Sequence, residues 1–317
     1  MFFSPIAMHI PDGFLSVTVS VIFWVLSVIV IVLALRQVNR QLGEREVPLM
    51  GVLAATIFAG QMLNFTVVGG TSGHLLGAAL ATILLGPWPA VLVMTCVVGV
   101  QALIFQDGGL LALGANLFNM AVIGVAVSYG VNRLFRRMLG EGKTGIFVSG
   151  FAAAWFSIFI ASLAAALQLA LSGTTPANLA VPAMAGIHAL IGIGEGLITL
   201  GALAFLYATR RDLLHIGEQQ PRSNLVVWIG GAVIFLALAV LSPLASAFPD
   251  GLESVAEKLG FIQKAQDPGI TVIPDYVLPG VNNEALATIL AGILGSLVVL
   301  AAVLLLSRFR RARAKTS

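Results

Sequence analysis

Two histidines carry the first chemical signal in this chain. His9 lies in Met8-His9-Ile10-Pro11-Asp12-Gly13-Phe14, and His74 closes Gly69-Gly70-Thr71-Ser72-Gly73-His74. Each sits beside backbone punctuation at the edge of a long apolar run, where a fold can bring two imidazoles together. Imidazole nitrogen suits nickel, cobalt, copper or zinc, so the pair reads as a metal site. If translation starts at Met8, the Met8 amine, the deprotonated His9 amide and His9 Nδ1 can close five- and six-membered chelate rings around one ion, with His74 as a fourth nitrogen. Such a square-planar set suits Ni(II) or Cu(II). With Met1 as the first residue, that amine is not available. Pro11 and Asp12-Gly13 are turn formers that set how the terminal segment bends back into the protein. A structural role for the same residues stands beside this reading, with His9 at an interface and His74 capping a helix.

What positions these residues is a membrane bundle. The 317 residues are 58% hydrophobic and only 10% charged, with a mean hydropathy of +1.00. Those fractions lie outside the range of soluble domains, and continuous rather than alternating apolar runs indicate helices and not barrel strands. About nine spans are expected, near residues 14–35, 47–68, 75–85, 87–105, 114–132, 145–171, 179–208, 224–247 and 285–307, with a break at Gly86-Pro87 because proline cannot continue the preceding helix. Residues 1–7 are too short and uncharged for a signal peptide.

An extracytoplasmic N-terminus and a cytoplasmic C-terminus put 15 of the 17 Lys and Arg on the inner side, leaving Lys258 and Lys264 outside, as the positive-inside rule requires. The outer segments then hold eight acids, including Asp12, Asp107 and Asp250, a sign that attracts cations. The same topology puts His9 and His74 on one side of a prokaryotic cell membrane, a coincidence that the choice of spans did not use.

Other features weigh less. Asn64, Gln101, Asn116 and Asn119 are polar residues in apolar runs and are expected to bond between helices, or to support a site as second-layer partners; Asn64, Asn116 and the loop residue Ser72 are the candidates for such support. His188 and Glu195 share one face of a glycine-rich helix, either as an ion or proton relay or as a tightly packed polar seam. Gly51, Ala55 and Ala59 form a small-residue stripe for close helix packing, inside the chain or against another subunit. Cys96, the single cysteine, reads as a core residue, and His215 as a solvated linker residue. Gly142-Lys143-Thr144 lacks the leading glycine and strand of a phosphate loop, so no ATP site is expected in this chain.

Several motifs together resemble a known family. Met8-His9-Ile10-Pro11-Asp12-Gly13-Phe14-Leu15, Gly70-Thr71-Ser72-Gly73-His74-Leu75, and Gln106-Asp107-Gly108-Gly109-Leu110 followed by Gly114-Ala115-Asn116 resemble the NikM/CbiM substrate-capture components of energy-coupling factor transporters for nickel and cobalt. Pro249-Asp250-Gly251-Leu252-Glu253 between two spans is similar to the accessory NikN-type module. The resemblance implies an all-α membrane protein: a seven-helix capture domain over residues 1–213 and a two-helix module over 214–317. It also implies Ni(II) or Co(II) as substrate, nickel favoured by the fused tail, with Met8, His9 and His74 as ligands. The implied partners are a transmembrane coupling subunit and cytoplasmic ATPases; no nucleic acid and no catalytic residue belong to this picture. An intramembrane metalloenzyme lacks His-Glu-x-x-His or a nearby general base, and an ion-coupled carrier would have to run through Glu195.

Overall fold

The computed structural model describes residues 9–41, 46–214, 224–267, 269 and 272–314; the expectations for Met8 and His215 fall outside them. The described residues are mostly helical. Helix α1 (Val17–Gln41) leads to α2 (Glu46–Gln61), a short hairpin of β1 (Phe65–Val67) and β2 (Thr71–Gly73), α3 (Ala78–Leu85) and α4 (Pro87–Phe105). Helix α5 (Leu113–Leu117) continues through a π-helical turn (Phe118–Ile123) into α6 (Gly124–Leu139). Then come α7 (Lys143–Leu171), α8 (Ala177–Thr209), α9 (Asn224–Leu241), the short α10 (Gly251–Leu259) and α11 (Glu284–Ala314).

The expected nine segments resolve into two kinds. Among the described residues seven helices are long and apolar enough to cross a membrane, counting Leu113–Leu139 as one, whereas α2 is a shorter apolar helix and α3 has eight residues. The span expected to reach residue 68 stops at Gln61. Beyond it the chain turns into the hairpin, whose Gly69 and Gly70 hold φ of 88° and 73°, the geometry of a tight turn that glycine adopts without steric cost. Pairing runs from Phe65 opposite Gly73 to Val67 opposite Thr71.

Packing explains the small-residue stripe on α2. Ala55 and Ala59 are fully buried with Phe235 of α9, a Cβ on Gly51 would touch Leu300 and Leu304 of α11, and the Ser296 hydroxyl donates to the Ala55 carbonyl at 3.3 Å. The stripe is therefore filled by the chain's own last two long helices, and α2 is enclosed between them and α4. On the other side of the bundle α6, α7 and α8 pack in sequence. At the π-helical turn, Asn119 and Gln168 exchange two side-chain hydrogen bonds of 2.8 and 2.7 Å, the interhelical amide pairing expected of a polar residue in an apolar run.

The polar segment after α9 folds back over the end of the bundle that carries the hairpin. Helix α10 starts with a capping box in which Asp250 accepts from the Glu253 amide and the Glu253 side chain returns to the Asp250 amide, satisfying donors that a helix N-terminus otherwise leaves open. Its apolar face, Leu252, Val255 and Ala256, joins Ile10, Phe14, Leu169 and Met184 in one cluster.

Candidate metal centre

His9 enters the protein on a short segment stitched down along its whole length. The Ile10 amide donates to Asn116 Oδ1 and the Ile10 carbonyl accepts from Asn116 Nδ2, both at 3.0 Å, while the same carbonyl accepts from the Gly109 amide at 3.0 Å. The Asp12 carboxylate takes the amides of Leu110 and Ala112 at 3.0 and 2.9 Å. Phe14 is buried edge-on to Phe261. From the opposite side, Gln266 donates its amide to the Asp12 carbonyl at 2.8 Å. Residues 9–14 thus lie between the 106–112 loop and the segment after α10.

The glycines of that loop have a steric cause. A Cβ on Gly109 would stand 2.0 Å from Asp12 Oδ1 and 2.2 Å from its amide nitrogen, and one on Gly108 would stand 2.9 Å from His9 Cβ. Only hydrogen fits in either place.

Asp107 meets the imidazole itself. His9 Nδ1 lies 2.7 Å from Asp107 Oδ1, and the other carboxylate oxygen, Oδ2, accepts from the Tyr276 hydroxyl. Burial works against the charged form of His9, yet attraction to Asp107, the hydrogen bond to it and the nearby Asp250 together hold its pKa above the ordinary value. Asp107 is the mirror case: burial is overcome by His9, by the bond from Tyr276 and by His74, and its carboxyl is held below the usual range. Burial pushes the Asp250 carboxyl up to about 8, with Glu253 and Asp107 adding and the Glu253 amide and His9 opposing. Asp107 is thus the charged carboxylate beside His9, while Asp250 is held toward its neutral form.

His74 approaches from the hairpin. Its ring centroid lies 5.7 Å from that of His9, although the two residues are 65 positions apart. With metal–nitrogen bonds of about 2 Å, two imidazoles sharing an ion have centroids no more than about 6 Å apart, so the separation suits a shared ion. Its Nδ1 lies 3.1 Å from the Leu75 carbonyl, and the next two amides, Leu76 and Gly77, donate to Glu195 at 2.7 and 3.1 Å.

Glu195, fully buried, is therefore the anchor of the His74 loop, which favours the packed seam over a relay for this side chain. His188 likewise has a local partner, the Met184 carbonyl at 2.9 Å, and lies against Gly251, where a Cβ would come 2.8 Å from its Cε1.

The candidates named for support divide. Asn116 braces the residue next to His9. The Ser72 hydroxyl instead donates to the Phe248 carbonyl at 2.8 Å, and the Ser72 amide to Pro249 at 2.8 Å, fastening the entry to α10. The Asn64 carbonyl accepts from the Ser246 amide at 2.8 Å, so its described bond is to the same C-terminal region and not to either histidine. The chelate ring through His9 Nδ1 also meets a fact invisible in the sequence: that nitrogen is engaged by Asp107, while Nε2 is buried without a hydrogen-bond partner. Closing the ring through Nδ1 exchanges the Asp107 bond for the ion, whereas coordination through Nε2 keeps it. Among the described residues no three His, Cys, Asp or Glu side chains converge on one point.

Comparison with known proteins places this architecture. Residues 9–213 match the model of the family described as the cobalt uptake substrate-specific transmembrane region, CbiM, and residues 224–312 match the PDGLE domain. The putative fused nickel transport protein NikMN of Archaeoglobus fulgidus is 36% identical over 96% of this chain and 99% of its own length. The fused nickel transport protein NikMN of Rhodobacter capsulatus is 30% identical over 93% and 96%. A putative metal transport protein of Haloquadratum walsbyi is 47% identical over 69% of this chain and 97% of its own. The crystal structure of a truncated transition metal transporter superposes with a TM-score of 0.58 at 36% identity, covering 63% of this chain and 98% of that one. These relatives are named as transport proteins and not as enzymes. The chain belongs to the CbiM family of membrane transport components, in the form that carries a PDGLE domain after the substrate-specific region.

Proposed function

We propose that this protein is the substrate-capture component of an ATP-driven importer of Ni(II) or Co(II), with Met8, His9 and His74 as the ligands. The observation that carries this reading is the approach of two imidazoles to 5.7 Å at the end of a membrane bundle, one of them oriented by a buried carboxylate. A histidine ligand held through its other ring nitrogen by a carboxylate is the usual supporting arrangement at metal sites. Two imidazoles leave an ion short of donors, and the Met8 amine, one residue from His9, supplies the next if the chain begins there. The relatives' names, nickel transport protein NikMN and cobalt transport protein CbiM, support the choice of metals.

Cytoplasmic ATPases supply the energy through a transmembrane coupling subunit, the partners that the family resemblance implies. Residues 1–213 form the capture unit and residues 214–317 the accessory unit, with the N-terminus outside the cell membrane. The ion binds from outside and is released inward when the ATPase complex reorients this subunit.

The test is equilibrium binding of Ni(II) and Co(II) to detergent-purified chains beginning at Met1 and at Met8, each with and without His74→Ala. The reading requires one tightly bound ion in the chain starting at Met8, weakened both by the seven-residue extension and by His74→Ala. Equal binding by all four proteins, or by none, overturns it.

A further inference from the structure

We propose that Tyr276, a residue of the PDGLE domain, is a positioning residue for metal capture that acts on His9 through Asp107. The inference rests on the reading of His9 as a ligand and adds to it a control point in the appended domain.

Three observations converge on this side chain. First, the two oxygens of Asp107 are divided: Oδ1 meets His9 Nδ1 at 2.7 Å and Oδ2 accepts from the Tyr276 hydroxyl. Burial and the adjacent Asp107 charge hold the phenol well above its ordinary pKa, so the hydroxyl keeps its proton and is the donor. Second, the ring is seated independently of that bond. It stacks on Phe105 with centroids 4.8 Å apart and planes 14° from parallel, and the Ile273 amide donates to the Ile104 carbonyl at 2.9 Å, so the 272–278 segment is docked on the end of α4. Third, the backbone is strained to make this approach. Asp275 and Tyr276 hold φ of 54° and 57°, adjacent non-glycine residues in the left-handed region, at about 1–2 kcal/mol each. Such a conformation persists only where its surroundings enforce it, and it concentrates at functional positions.

The physical consequence is local. A carboxylate pinned at one oxygen by a neutral donor has a fixed plane and shares its charge between two partners. Without the hydroxyl, the plane is released and the full charge falls on the imidazole. The released plane leaves the His9 ring less well oriented for an incoming cation. Besides Phe261 and Gln266, which hold the 9–14 segment, the PDGLE domain thereby reaches the Asp107–His9 pair through Tyr276 without supplying a ligand.

The experiment uses the full-length chain. Affinity for Ni(II) and Co(II) is measured for the unaltered protein, Tyr276→Phe, Asp107→Ala and the double variant, with His74→Ala alongside and the thermal midpoint without metal as a folding control. Tyr276→Phe keeps the stack on Phe105, and we expect about tenfold weaker binding, the lower end for loss of an outer partner. In the Asp107→Ala background the same change is expected to have no effect, because a residue that works through another couples fully to it. A tenfold loss that persists without Asp107, or undiminished binding by Tyr276→Phe, overturns the proposal. Should Asp107→Ala not fold, the 15N resonance of His9 Nδ1 decides: it moves in Tyr276→Phe if the relay exists and stays if it does not. Failure of the unaltered protein to bind, or indifference to His74→Ala, instead sinks the ligand reading beneath it.

Discussion

The two histidines are held in different ways. His74 is fixed through its backbone, by a two-stranded hairpin before it and by Glu195 of α8 on the amides of Leu76 and Gly77. His9 is fixed almost entirely from elsewhere: Asp107 on its ring, Asn116 on the next residue, the 106–112 loop along one side of its segment and Gln266 along the other. One is a rigid post and the other is an arm assembled from three distant parts of the sequence. The His74 side depends on the hairpin and on Glu195 of α8, and the His9 side depends on the whole end of the bundle being complete. That difference makes the His9 arm the natural place for control.

Substitutions can break this comparison, and the largest effect belongs to the arm. Gly109→Ala places a Cβ where Asp12 already stands, so residues 9–14 must lift away. We expect metal affinity to fall by about 100-fold, the upper end for loss of outer support, together with faster proteolysis near the N-terminus. A Gly109→Ala protein that binds normally contradicts the stitching.

On the post, Glu195→Ala leaves two buried amides without an acceptor, at about 1–3 kcal/mol each, whereas Glu195→Gln retains one acceptor oxygen. Unfolding in detergent should rank Ala well below Gln, with metal retention following the same order. If Gln abolishes transport while leaving stability intact, the carboxylate's charge matters and an ion-coupling role for Glu195 displaces the anchoring one. A smaller loss, about 1 kcal/mol, is expected for Asp12→Asn, which keeps one acceptor for the loop amides. Smallest is Ser72→Ala, at about 0.5 kcal/mol: it loosens the entry to α10 and leaves metal affinity unchanged, because Ser72 bonds the C-terminal region and neither histidine.

The motifs around His9 and His74 were visible in the sequence because glycine, proline and histidine announce themselves at short range. The hairpin was legible too, since Gly69-Gly70 between Phe65-Thr66-Val67 and Thr71-Ser72-Gly73 is a turn signal, but the apolar count carried the second span over its first strand to residue 68. Asp107 stood inside a recognised motif as one of eight outer acids, without its bond to His9, for that partner lies 98 residues away and no periodicity links a loop acid to a distant imidazole. Tyr276 had still less to mark it. Its position depends on two left-handed residues that carry no glycine, so the local sequence argues against the conformation that the fold imposes. Glu195 was found as a buried acid, and only the contact between α8 and the loop before α3 turned it from a possible ion carrier into an anchor.

The most direct measurement of the central claim is X-ray absorption at the nickel or cobalt edge of the loaded, detergent-purified protein, with His74→Ala beside it. The account predicts nitrogen donors at about 2 Å with the multiple scattering of two imidazoles, reduced to one by His74→Ala. An oxygen-only shell, or an imidazole count that His74→Ala leaves unchanged, contradicts it.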